Sequence, residues 1–208
     1  MLVSTVKNLI FDLGGVILDL SVEQTLHSFA DLSKLPKEEV HDRYLSAAGF
    51  LEYEKGLMSD DAFRDFVRET YAISASDQEI DDSWNAMLLG IPPLKLELLK
   101  KLQGDFRVFL LSNTNAIHVR YINDFLLPNL PEKRPLDTYF HKAYYSHQMK
   151  KRKPDADIFE QVLDENNLLP EETLFLDDYA VNIEGAKSLG IKTIHVTSPN
   201  LILEYFHA

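Results

Sequence analysis

The chain has 208 residues, enough for one sizeable core or one core with a modest appendage. A net charge of −12 argues against nucleic acid or an anionic membrane as partner, although a local cationic or metal-bearing cleft could still take an anionic substrate. There is no cysteine, which excludes disulfides and thiolate metal sites; MLVSTVKNLI lacks a secretion pattern and no long apolar run follows, so a cytoplasmic protein outside the membrane is expected.

In chain order, VKNLIFD is a short apolar, β-rich run stopped by glycine and reads as a strand ending in Asp12. From Ser21 to about Gly90 the pattern is helical only. Ser21-Val22-Glu23-Gln24 and Ser76-Asp77-Gln78-Glu79 both fit a capping box, and Pro36 fits the first position of a further helix. Phe63, Phe66 and Val67 follow a possible cap at Ser59, and Ile80, Trp84, Met87 and Leu88 recur at helical spacing. After Pro92-Pro93 the pattern changes. A Leu-rich helix over 94–102 precedes a strand RVFLLSNT, a helix over 117–127, a Pro-rich loop and a short strand AYYS. A helix over 155–166, the strand TLFLDD, a helix over 182–189 stopped by Gly190, and the strand KTIHVT complete the chain. This alternation predicts an α/β fold, a Rossmann-like parallel sheet with helices on both faces. The helical block becomes an inserted cap: residues 1–18 and 91–208 form the core and 19–90 the cap.

Ligands of open α/β sheets bind outside the carboxyl ends of the strands. Those ends carry Asp12, Ser112-Asn113-Thr114, the loop with Lys153, and Asp177-Asp178. Acids held close repel unless a cation intervenes, and Mg²⁺ prefers oxygen ligands together with substrate phosphate. Lys153 adds a point charge, Ser112 and Asn113 can donate to phosphoryl oxygens, and Asp12 could attack phosphorus. Each residue also has a plainer reading. Asp12 could be a turn residue before Gly-Gly, Ser112 and Asn113 could cap the next helix, and 150–152 read as a solvated basic run. His118, His147 and Trp84 read as structural. Tyr44, Phe50, Glu52 and Tyr53 lie where the cap could face the cleft, with Arg43 a candidate for a second anionic group.

FDLGGV, LLSNT, RKPD and LDDYAVNIEGA, in this order, resemble the four motifs of the haloacid dehalogenase (HAD) superfamily, with the helical block in the place of its type-1 cap. The nearest resemblance is to small bacterial sugar-phosphate phosphatases with DLG in motif one, and to the N-terminal phosphatase domain of soluble epoxide hydrolases. The resemblance implies a nucleophile at Asp12, phosphate binding by Ser112 and Asn113, and a steadying Lys153. It implies Mg²⁺ held by Asp12, the Gly14 carbonyl and Asp178, with Asp177 as ligand or support and Asn182 orienting the pair. Most members carry a second aspartate two residues after the nucleophile. Here that position is Gly14, so the acid/base step should be weakened. Asp19 is a conceivable stand-in, although its spacing suits a structural or hinge role better. The expected function is a Mg²⁺-dependent phosphatase of a small phosphorylated metabolite. The alternatives are a 2-haloacid dehalogenase and a phosphometabolite-binding protein without turnover.

Overall fold

The computed structural model describes residues 5–207; residues 1–4, part of the segment read as lacking a secretion signal, and residue 208 lie outside it. β1 (Asn8–Phe11) leads through β2 (Asp19–Leu20) into five helices, α1 (Val22–Ser33), α2 (Lys37–Ser46), α3 (Gly49–Glu54), α4 (Asp60–Tyr71) and α5 (Asp77–Asn85). After β3 (Leu88–Gly90) come α6 (Pro93–Leu102), β4 (Arg107–Ser112), α7 (Ala116–Tyr121), β5 (Lys142–Tyr145), α8 (Ser146–Met149) and α9 (Ala156–Asn166). β6 (Thr173–Asp177), α10 (Ala180–Ser188), β7 (Lys192–His195) and α11 (Leu201–Tyr205) follow.

Five strands form one parallel sheet in the order β5-β4-β1-β6-β7. β1, first in sequence, is central, and Phe11 is level with both Leu110 and Leu176. Successive residues of a strand face opposite sides, so each strand feeds two cores. Leu9, Phe11, Leu110 and Leu176 pack beneath α6 and α11; Ile10, Phe109, Leu111 and Phe175 pack against Ile158, Phe159 and Val162 of α9 and Ile183 of α10. Burial on both faces explains why these strands read as continuous apolar runs.

Helices α1 to α5 bury a third cluster around Phe29, Phe50, Tyr53, Phe63 and Trp84, which Ile117 of α7 joins. The rings of Tyr53 and Phe63 stack at 4.0 Å. Ser76 and Glu79 form the expected capping box, and Ser59 caps α4. Four expectations change. Ser21 makes no side-chain cap, because β2 continues into it and its N–H donates to Met87 C=O at 2.9 Å. Pro36 lies one residue before α2. The helix expected to reach Leu127 ends as α at Tyr121 and widens into a π turn over 122–126. The block is not helical throughout: β2 and β3 pair antiparallel, joining both chain crossings into a two-stranded ribbon, and Leu88 belongs to it.

Candidate active site

The parallel ladder runs one residue beyond β1: the Asp12 N–H donates to Leu176 C=O at 2.8 Å, which sets Asp12 beside Asp177 at the tip of β6. Lys153 reaches between them. Its Nζ lies 2.8 Å from Asp12 Oδ1, 2.7 Å from Asp177 Oδ2 and 5.3 Å from the centre of the Phe175 ring. One carboxylate oxygen from each of Asp12, Asp177 and Asp178 falls within 4.8 Å of the others. Sequence-distant acids and one ammonium thus meet at one sheet edge.

The residues around this cluster fix it. The Asn113 side chain forms a reciprocal pair with the Lys153 peptide, accepting from its N–H and donating to its C=O, each at 2.9 Å. Asp177 accepts from Lys153, from the Tyr179 N–H at 2.7 Å, and from Asn182 Nδ2 at 3.0 and 3.1 Å. Gly15 has φ +70°, and a Cβ there would overlap the Asp178 carboxylate, so only glycine fits. Ser112 is buried at the tip of β4. Neither it nor Asn113 caps the following helix; Asn115 does, accepting from the His118 N–H at 3.0 Å.

Asp12 and Asp178 open onto a cleft of about 470 Å³ shared with Gly14, Asn113, Lys153 and Glu54. A smaller recess of about 160 Å³ continues inward past Ser112, Thr114 and His118 to Tyr44 and Trp84 of the cap; Gly14 and Glu54 line both spaces.

The sequence pattern of the haloacid dehalogenase-like hydrolases matches residues 9–196. The chain belongs to that family. This haloacid dehalogenase-like hydrolase is 31% identical over 189 residues to a D-ribitol-5-phosphate phosphatase of Bacteroides thetaiotaomicron, a match covering 90% of each chain. A crystal structure of a HAD family enzyme from the same organism, an aspartate-to-alanine mutant in complex with magnesium and inorganic phosphate, superposes with a TM-score of 0.85 at 36% identity, over 91% of this chain and 93% of that one. The structure of a predicted HAD-like family hydrolase from Porphyromonas gingivalis gives 0.82 at 33% identity, over 94% and 92%. Among the described residues of this haloacid dehalogenase-like hydrolase, no helix is long and apolar enough to cross a membrane.

The electrostatics of the hydrolase site show a surplus of acid. Burial pushes the Asp12 carboxyl up to about 7; Lys153 pulls it back and Asp177 adds to the rise. Burial lowers the Lys153 pKa, but Asp12 and Asp177 outweigh it and hold the value above the ordinary one for lysine. One positive charge serves two carboxylates, and Asp12 carries the mismatch. Asp178, raised by burial and then by Asp177, adds a third acid. Oxygen-only donors with excess negative charge suit a hard divalent cation.

Several cap expectations change. Tyr44 does line the recess. Phe50 and Tyr53 instead fill the cap's own core, and Glu52 lies on an outer groove with Leu51 and Lys55. Arg43 binds Glu39 and the Thr70 carbonyl, each at 2.5 Å, and lines neither space. Asp19 holds Lys95 at 2.9 Å, a structural pairing. The lining residues missed from sequence include Glu54, Arg152 and Leu20, and Gly15, which packs against Asp178 behind the lining, was missed with them. The GG doublet after Asp12 was the available signal for Gly15; no periodicity pointed to the others.

Proposed function

We propose that this hydrolase is a Mg²⁺-dependent phosphatase of a small phosphorylated carbohydrate, acting through an aspartyl phosphate on Asp12. The observation that carries the reading is the convergence of three aspartates on one buried ammonium at the mouth of a cleft. The relatives named as a D-ribitol-5-phosphate phosphatase and a phosphorylated carbohydrates phosphatase of Thermotoga maritima support the substrate class, and the magnesium and phosphate complex supports the ion. In this reading residues 1–18 and 91–208 are the catalytic core and 19–90 a cap over the cleft.

Asp12, Asp178 and the Gly14 carbonyl hold the Mg²⁺, with Asp177 at their back. Four hydrogen bonds suit Asp177 better to anchoring Lys153 than to ligation. When bound there, Mg²⁺ would offset the charge of these acids and of an incoming phosphate. An Asp12 oxygen attacks phosphorus in line with the departing oxygen. Lys153 fixes the rotamer of Asp12 and meets the phosphoryl charge. The Ser112 hydroxyl and the second amide hydrogen of Asn113 bind phosphoryl oxygens.

The haloacid reading gains from Gly14, since a halide leaves without a proton. The surplus of acids counts against it, and likeness to an L-2-haloacid dehalogenase of Xanthobacter autotrophicus, 18% identical with a TM-score of 0.58, is a likeness of fold. Phosphate release across sugar and polyol phosphates, with and without Mg²⁺, beside Asp12→Asn, tests the proposal. Mg²⁺-dependent release lost in the variant is expected. No release, or an equally active variant, overturns it.

A further inference from the structure

Splitting an alkyl phosphate leaves an electron pair on the departing oxygen, and departure is fast only where a proton meets it. Position 14 offers none, and its space is taken: a Cβ on Gly14 would lie 2.5 Å from Leu20 Cδ2. The other groups lining the cleft and recess can be taken in turn. Asp12, Asp177 and Asp178 face one another, and Lys153 is shared between two of them. His118 has both ring nitrogens engaged, Nε2 with Trp84 C=O at 3.2 Å and Nδ1 with Asn115 at 3.1 Å, and burial holds it neutral, its pKa near 4. Burial, with Glu54 adding, pushes the Tyr44 hydroxyl up to about 12. Tyr179 is exposed at the rim, and the Arg152 guanidinium is engaged with Glu54. Among the described lining residues, one carboxyl remains: Glu54.

We propose that Glu54, the last residue of α3, is a catalytic residue of this site. It gives its proton to the leaving oxygen and later takes one from the attacking water. The inference rests on the phosphatase reading. In the first step the Asp12 oxygen bonds to phosphorus, the bond from phosphorus to the leaving oxygen breaks, and that oxygen takes the Glu54 proton and departs as an alcohol. In the second, water attacks phosphorus while Glu54 takes its proton. The bond to Asp12 breaks with its electrons returning to the carboxylate, inorganic phosphate leaves, and Glu54 is again protonated.

Glu54 is placed by the core, although it belongs to the cap. Ser146 Oγ donates to its backbone carbonyl at 2.6 Å, and Arg152 Nη2 donates to its Oε2 at 3.1 Å. Two residues on, Gly56 has φ +62° and lies so close to the His147 carbonyl that a Cβ would overlap it; the Lys150 ammonium binds the Gly56 carbonyl. The Glu54 side chain stays 23% exposed on the cleft side. Burial raises its carboxyl pKa above the usual range, and Arg152 and then Lys153 pull it back. A carboxyl raised by burial holds its proton to higher pH than a free one, and the neighbouring cations keep the ionised form within reach.

The test is the effect of Glu54→Gln and Glu54→Asp, in the full chain with Mg²⁺, on phosphate esters graded by leaving-group basicity, from polyol phosphates to 4-nitrophenyl phosphate. kcat/KM reports the step that expels the leaving group. Glu54→Gln should lower it about 10²-fold or more on the alkyl esters and by less than about 3-fold on 4-nitrophenyl phosphate. A burst of 4-nitrophenolate should appear, because the second proton transfer is slowed as well. Glu54→Asp should recover part of the alkyl activity. An equal fall of kcat/KM on every ester, as a mere docking role would give, overturns the proposal. So does a fall that follows the number of hydroxyls, or no fall. A parent enzyme that releases no phosphate from any ester overturns the phosphatase reading itself, so the two failures are told apart.

Discussion

Lys153 and Lys95 are both buried, with side chains 0% and 1% exposed, and both are ion-paired, yet they serve different ends. At the strand tips Lys153 touches two aspartates whose side chains are 12% and 0% exposed. Beneath the β2–β3 ribbon Lys95, on α6, touches one, Asp19, which is 40% exposed. The second pair balances, and water reaches its acid. The first does not balance, because negative charge exceeds positive where solvent is scarce. Burial of a charge therefore does not distinguish a functional site from a structural clasp; the local charge mismatch does. His118 extends the contrast, a buried base whose partners are an amide and a carbonyl, and it stays neutral.

The largest effect should come from Lys153→Met, which leaves Asp12 and Asp177 facing each other. Urea unfolding at pH 8 without Mg²⁺ should show a loss of about 3–5 kcal/mol. The loss should shrink at pH 5, where Asp12 accepts a proton. The same loss at both values would break the mismatch argument. Next is the ion itself. Asp12 is raised to about 7 in the fold, above its ordinary 3.8. Between these values the native state binds more protons than the unfolded one, so this group's contribution to stability falls as pH rises from about 4 through about 7. Mg²⁺ counters that loss. At a hundredfold excess over Kd it should add about 2.7 kcal/mol at pH 8, and clearly less at pH 5.5. A Tm gain independent of pH would refute this.

The Lys95 pair sharpens the comparison through an asymmetry. Asp19→Asn strands a buried ammonium and should cost about 1.5–3 kcal/mol. Lys95→Met frees an acid that water already reaches and should cost less than about 1 kcal/mol. Equal costs would erase the distinction drawn between the two lysines. The smallest effect concerns His118, lowered to about 4 from 6.5 mainly by burial. In that window the unfolded state binds the extra proton, so stability falls with pH from about 6.5 toward 4. His118→Gln should flatten that limb of the stability profile; an unchanged slope would show that another group sets it.

The sheet and its acidic tips were legible because each strand is buried on both faces and reads as an apolar run halted by a polar residue. Asp12, Ser112 and Asp177 could be placed by that rule alone, and the Lys153 loop followed from the topology. The ribbon was not legible, since strands of two and three residues carry no period. The same ribbon took Ser21 from its capping box and Leu88 from the helical pattern, two places where long-range pairing overrode a local signal. Among residues 19–90, helical spacing identified Phe63 and Trp84 as core but set Phe50 and Tyr53 toward the cleft, and it could not choose between Glu52 and Glu54. That choice is made by contacts with Ser146, His147 and Arg152, some 90 residues away in sequence. The sequence also holds Gly14 as an absence, without showing that Leu20 fills the space it leaves.

The seat of α3 on the core works as an interlock. Lifting the helical layer from the sheet would part Gly56 from His147, the Glu54 carbonyl from Ser146, and the Glu54 carboxylate from Arg152, while the paired strands at its base kept it tethered. Shelter for the substrate and the carboxyl that serves it would then come and go as one unit. A phosphorylated Asp12 reached by solvent with the layer raised would find no base at hand to help that solvent attack.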